Sequence, residues 1–191
     1  MSTRAIIALA ACASTAHAGF AYDEAIDGDL SNDRANPTAF SLTQGVSLFT
    51  MDVIDSDQPN GDLDYFTVSI GAGLSIDSIT LVSSTNPAGG FDAVAFIAMQ
   101  LGTEVTVDPD APNPAPLTGF VIGGPAEIGT NILPDLAGLS GPTLGAGDYS
   151  FWVQQTGVDL TRLTLSFNVV PAPGFASALG CVGLLAARRR R

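Results

Sequence analysis

The sequence predicts an all-β fold, an antiparallel β-sandwich, on three observations. Short segments alternate apolar and polar residues with period two. Clusters of Gly, Pro, Asn and Asp punctuate them. Almost no stretch carries a helical period, and no repeat of 20–50 residues argues for a propeller or solenoid.

The strands follow in order. Val46–Ile54 is rich in β-formers and apolar. Leu63–Ile70 sets Phe66, Val68 and Ile70 on one face. Ile76–Val82 follows a Gly71-Ala72-Gly73 turn. Phe91–Leu101 is almost continuously apolar, as a central strand buried on both faces would be, with a short helix as the alternative because its β-branched content is low. Asp148–Thr156 puts Tyr149, Phe151 and Val153 on one face, and Trp152 on the other with Ser150 and Gln154. Arg162–Val170 alternates most cleanly, through Leu163, Leu165, Phe167 and Val169. Loops are expected over Asp108–Pro116 and Gly123–Gly147, the latter with a helical turn at Leu133–Leu136.

The two ends read as processing signals flanking that domain. Arg4 is a small positive n-region, Ala5–Ala11 a short apolar run, and Ala16-His17-Ala18 an A-x-A cleavage site, so residues 1–18 read as a signal peptide. Leu9-Ala10-Ala11-Cys12 also matches a lipoprotein box. Cys12 lies early for that role, and the cleavage site follows it, so simple secretion is the expectation. At the other end, residues 171–191 combine a Pro-Ala-Pro-Gly breaker, an uncharged run over Gly174–Ala187 and four terminal arginines. The 14-residue run would span about 21 Å as a helix, short of the hydrocarbon core of roughly 30 Å. The arginines are a cytoplasmic stop.

This tail resembles the PEP-CTERM sorting signal of Gram-negative bacteria that build an extracellular polymer matrix. Pro171, Ala172, Pro173 and Gly174 stand at the motif, with Ala172 where the family has Glu, and Arg188, Arg189, Arg190 and Arg191 form the basic end. The resemblance implies transient membrane insertion through the C-terminal helix, an exosortase-like partner enzyme, and delivery to the cell envelope or extracellular matrix.

What remains is one domain, residues 19–170. Both cysteines, Cys12 and Cys181, and the single histidine, His17, fall in the terminal signals, and the chain has no lysine. The domain therefore has no disulfide, no thiolate or His-based metal site, no Ser-His-Asp triad and no Schiff-base lysine. It keeps only Arg34 and Arg162 against all 19 acids, a formal charge of −17. Such a surface repels nucleic acid and anionic membrane, and it repels itself, so cations should stabilise it by screening or by binding.

Gly61-Asp62-Leu63-Asp64-Tyr65-Phe66-Thr67-Val68 resembles the opening strand of bacterial pre-peptidase C-terminal (PPC-like) domains. Gly147-Asp148-Tyr149-Ser150-Phe151-Trp152-Val153 is similar to their later strand, and Thr156-Gly157 with Leu163–Val169 to their closing strand. Asp27-Gly28-Asp29-Leu30-Ser31 is similar to the opening of related secreted bacterial proteins. The resemblance implies a small jelly-roll-like sandwich, non-catalytic, an auxiliary module of secreted proteins that in some members binds calcium.

The metal candidate is the Asp55–Asp64 loop, with Asp55, Asp57, Asp62 and Asp64 as ligands. Alternating Asp side chains in a tight loop can converge oxygens on Ca²⁺, although Pro59, Asn60 and the lack of a twelfth-position Glu rule out an EF-hand. The competing reading is a hairpin turn with Asp and Asn bonded to the backbone. Asp27, Asp29 and Asp33 form a second, weaker set. Trp152 is either a sugar-stacking platform or, as we expect, a ring covered by a neighbouring loop. Asp92, Glu104 and Glu127 adjoin apolar strand residues and are the acids whose pKa burial would raise. The expectation is a secreted, non-enzymatic module without a catalytic site and without a cofactor, the hairpin turn being preferred to a Ca²⁺ site in the Asp55–Asp64 loop. The alternatives are a Ca²⁺-dependent carbohydrate-binding module for the matrix polysaccharide and a carboxylate-based glycoside hydrolase.

Overall fold

A computed structural model describes residues 19–54, 61–87, 93–110, 113–138, 143–156 and 160–174. Among the described residues nine strands form two sheets. The four-stranded sheet has the order β1-β3-β9-β5, made of β1 (Ala21–Asp23), β3 (Gly45–Val53), β9 (Thr161–Pro171) and β5 (Leu74–Thr85). The five-stranded sheet has the order β2-β4-β8-β6-β7, made of β2 (Thr38–Leu42), β4 (Leu63–Ile70), β8 (Gly147–Gln155), β6 (Ala95–Leu101) and β7 (Gly119–Gly123). From β1 to β6 the chain switches sheets at every connection.

The sandwich follows from period-two burial. Phe49, Met51 and Val53 of β3 and Leu163, Leu165 and Phe167 of β9 meet Phe66 and Val68 of β4 and Phe151 and Val153 of β8. Phe66 stacks on Phe151 at 4.9 Å between ring centroids and on Phe49 at 5.3 Å, and Phe167 meets Phe151 edge-on at 5.4 Å. These rings join the two sheets across the core. On β5, two bulges break the alternation between Ile76 and Ser78 and between Leu81 and Ser83. Each inserts one outward residue, Asp77 and Val82, so that Ile76, Ile79 and Leu81 all stay inside.

Two expectations are corrected. The sheets are mixed rather than antiparallel: β1 runs parallel to β3, and β2 parallel to β4. Both are short edge strands, and the chain passes from β1 in one sheet to β2 in the other, a crossing that strand patterns alone do not reveal. The segment expected to be a strand from Phe91 forms β6 from Ala95 onward, and the helical alternative does not occur there. The expected helical turn is α2 (Leu133–Ala137), which buries Leu133, Leu136 and Ala137. Gly119 lets β7 approach it closely; a Cβ there would lie 2.0 Å from the Asp135 carbonyl oxygen. Among the described residues no helix is long and apolar enough to cross a membrane.

The outer face of the five-stranded sheet is covered as expected at Trp152. Residues 102–110 and 113–118 fold over it, burying Val105 and Val107 with Tyr65, Ala98 and Trp152 in a second apolar cluster. Gln100 fastens this cover by bonding the Thr106 amide and hydroxyl, each at 3.0 Å.

Candidate functional site

The N-terminal segment crosses the mouth of the sandwich from one sheet to the other. Residues Ala21–Asp23 pair with β3, the short helix α1 (Glu24–Asp27) follows, and Ser31 bridges to Tyr65 on β4. Asp23 caps α1 by accepting from the Ala25 amide at 3.1 Å. The Tyr22 hydroxyl donates to the Gly28 carbonyl and closes the loop that follows.

This crossing places Glu24 and Asp29 over the start of β4. There, strand alternation turns Asp64 inward on the same face as Phe66 and Val68. One carboxylate oxygen from each of Glu24, Asp29 and Asp64 lies within 4.8 Å of the others. That is the span of two ligands on opposite sides of a Ca²⁺ with bonds of about 2.4 Å. The three differ in environment. Asp29 is exposed, Glu24 is half-buried, and Asp64 has no exposed surface. Glu24 is held in place by the backbone: its Oε1 accepts from the Leu30 amide at 2.8 Å and its Oε2 from the Asp52 amide at 2.6 Å. Neither oxygen of Asp64 has a hydrogen-bond partner.

The electrostatics follow from this geometry. Burial raises the Asp64 pKa to about 10, and the charges of Glu24, Asp62 and Asp29 add to the rise. Glu24 rises to about 7, again chiefly by burial, although its two backbone hydrogen bonds pull the other way. Asp62 is raised by burial and by Asp29 and Asp52. Ionised, Asp64 faces only other acceptors. Protonated, it can donate to Glu24, so in the absence of a cation the pair holds a proton. The nearby cation is Arg162, which pairs with Asp23 at 2.6 Å and Asp52 at 2.9 Å.

The expected ligands are thus redistributed. Of the Asp55–Asp64 set, Asp64 lies in the cluster and Asp62 beside it; Asp55 and Asp57 lie outside the described residues. Of the second set, Asp29 joins Asp64. Asp27 bonds the Asp23 amide at 2.8 Å, and Asp33 closes a turn with the Ala35 amide at 2.9 Å and the Asn36 side chain at 2.7 Å. Glu24 was not among the expected ligands. Glu104 is exposed, Glu127 bonds the Gly124 amide at 2.9 Å in a tight turn, and Asp92 lies outside the described residues.

The segment expected to be a sorting motif begins inside the sheet. Pro171 ends β9 opposite Leu74, the Ala172 amide donates to the Gly73 carbonyl at 2.8 Å, and Pro173 and Gly174 are exposed. Residues 1–18, expected to be a signal peptide, and Arg188, Arg189, Arg190 and Arg191 lie outside the described residues. No protein-family model, no curated protein and no solved structure matches the chain.

Proposed function

We propose that this chain is an exported, non-enzymatic, jelly-roll-like β-sandwich whose N-terminal segment is fastened by a Ca²⁺ held between Glu24, Asp29 and Asp64. A signal of the PEP-CTERM type delivers it to the cell envelope or matrix. The observation that carries the Ca²⁺ reading is Asp64, a carboxylate without exposed surface and without a hydrogen-bond partner. Burying such a group unpaired is costly, and only a proton or a cation can compensate it there. All the donors are carboxylate oxygens, which select a hard cation. Ca²⁺ tolerates irregular, largely dehydrated shells, whereas Mg²⁺ keeps several waters that a buried Asp64 leaves little room for.

Two carboxylates with raised pKa values are also the ingredients of an acid catalyst. Binding is the better reading, because a sugar ring has no access to a carboxylate with no exposed surface. Delivery is supported by the exposed Pro173-Gly174 at the end of β9 and by the basic end of the chain.

Melting the secreted protein in millimolar CaCl₂ and in NaCl of equal ionic strength tests the Ca²⁺ reading. Excess stabilisation by Ca²⁺ is expected, and identical melting would refute it. Intact-mass measurement tests delivery. The mature protein should lack Met1–Ala18 and the four arginines; secreted material that retains Arg188–Arg191 would contradict the sorting reading.

A further inference from the structure

Arg162 and Arg34 are the only basic residues between Gly19 and Val170. Arg162 stands second in β9, on the outer face of the four-stranded sheet, because the next residue, Leu163, points into the core. The register sets it beside Asp52 of β3, and β3 separates it from β1. Asp23, the last residue of β1, is thus two strands away, roughly 10 Å in strand spacings. The guanidinium spans that gap: Nη1 donates to Asp52 Oδ2 at 2.9 Å and Nη2 to Asp23 Oδ1 at 2.6 Å.

Both of its partners lead to Glu24. Asp23 precedes Glu24 in the chain and caps α1, which Glu24 opens, by accepting from the Ala25 amide at 3.1 Å. Asp52 holds Glu24 from the other side, since its backbone amide donates to Glu24 Oε2 at 2.6 Å. The second amide on that carboxylate, Leu30 on Oε1, belongs to the N-terminal segment itself. The Asp52 amide is therefore the bond that ties the Glu24 carboxylate to the sheet. One guanidinium fixes both the residue from which Glu24 departs and the residue on which its carboxylate rests.

We propose that Arg162 is a positioning residue of the cation site, bridging Asp23 and Asp52 so that Glu24 is held against Asp29 and Asp64. This inference rests on the Ca²⁺ reading of that cluster. A guanidinium has no acceptor atom, so Arg162 is not itself a ligand. Two effects oppose each other in its contribution. Its positive charge repels a second cation, so charge alone predicts tighter Ca²⁺ binding when it is removed. That repulsion is weak, because two carboxylates neutralise the guanidinium and all three side chains are partly exposed. Groups that orient a metal ligand are worth about ten- to a hundredfold in metal affinity. Removing Arg162 also leaves Asp23 and Asp52 as unpaired like charges on adjacent strands, which pushes β1 from β3 and moves Glu24. Positioning outweighs charge. Lysine keeps the charge but donates from a single point, so it cannot hold two carboxylates as the fork does.

The experiment titrates Ca²⁺ into the purified wild type, Arg162→Gln, Arg162→Lys and Arg34→Gln, and records each melting temperature in chelator. Arg34→Gln is the charge control: it removes the same charge from a residue that bonds the Thr106 carbonyl at 3.1 Å, in the cover of the other sheet. Arg162→Gln should bind Ca²⁺ about ten- to a hundredfold more weakly than wild type. Arg162→Lys should recover only part of that loss, and Arg34→Gln should bind as wild type or slightly more tightly. A residue that merely fastened the fold would lower the melting temperature in chelator and leave the Ca²⁺ affinity of the folded protein unchanged. Unchanged or tighter binding by Arg162→Gln would overturn the proposal. So would full recovery by Arg162→Lys, or an equal loss in Arg34→Gln. Should Arg162→Gln fail to fold, Arg162→Lys decides: binding weaker than wild type supports the proposal, and equal binding overturns it. Wild-type binding with no loss in the Arg162 variants removes this inference and leaves the Ca²⁺ reading standing, whereas no binding by the wild type removes both.

Discussion

Replacing Asp64 with Asn should stabilise the Ca²⁺-free protein and abolish its response to Ca²⁺. In the unfolded chain Asp64 ionises near its ordinary value of 3.8; in the fold it does so only near 10. At pH 7 the fold must therefore hold a proton that the unfolded chain has released. The cost is set by the distance from 3.8 to 7, about three pH units, at about 1.36 kcal/mol each. That is about 4 kcal/mol, and it saturates there because the group stays protonated however far above 7 its pKa lies. Asn has nearly the same shape, no charge, and an amide that can donate to Glu24. Asp64→Asn should thus recover up to about 4 kcal/mol at pH 7, or about 8–16 °C in melting temperature for a domain of this size. Near pH 4 it should recover only about half a kcal/mol, since Asp64 is then protonated in the fold and close to half-protonated in the unfolded chain. In Ca²⁺ the order changes, because the wild type gains binding free energy that the variant lacks. The assay is thermal unfolding of both proteins at pH 4 and pH 7, with chelator and with Ca²⁺. A variant less stable than wild type in chelator at pH 7, or one that still responds to Ca²⁺, would refute the reasoning.

Three further outcomes follow. Glu24 ionises near 7 in the fold against an ordinary 4.5, so the folded state binds more protons in that window. Without Ca²⁺, stability should then fall as pH rises from about 4.5 through 7, and Ca²⁺ should flatten the dependence; a melting temperature that rises over this range in chelator contradicts it. The domain's charge of −17 predicts stabilisation by NaCl through screening, and a flat or falling melting temperature from low to moderate salt would count against it. The purified protein should not turn over glycosides. Turnover abolished by Glu24→Gln or Asp64→Asn would instead make the acid cluster catalytic.

The long strands were legible in the sequence because each buries one face. Leu163 to Val169 alternates cleanly and forms β9, and Phe66, Val68 and Ile70 point inward from β4. The edge strands were not. Ala21–Asp23, Thr38–Leu42 and Gly119–Gly123 are three to five residues long and each buries a single residue, so they leave little periodic signal. Half of the acid site was also written in the pattern. The alternation that buries Phe66 also buries Asp64, and an acid on a core face is the signal of a compensated charge. Glu24 carries no such mark. It stands 40 positions before Asp64 and meets it only because the N-terminal segment crosses between sheets. The covered Trp152 was readable from its place opposite Phe151. Which residues cover it, 102–110 and 113–118, was not.

The most direct test of the account is calorimetric titration of Ca²⁺ into the purified protein and its Asp64→Asn variant, in two buffers of different ionisation enthalpy. The account predicts saturable binding in the wild type and none at that site in the variant. It also predicts a heat that changes with the buffer, because Ca²⁺ displaces the proton shared by Asp64 and Glu24. Absence of saturable binding in the wild type, or equal binding by the variant, would contradict the claim that these carboxylates form a cation site.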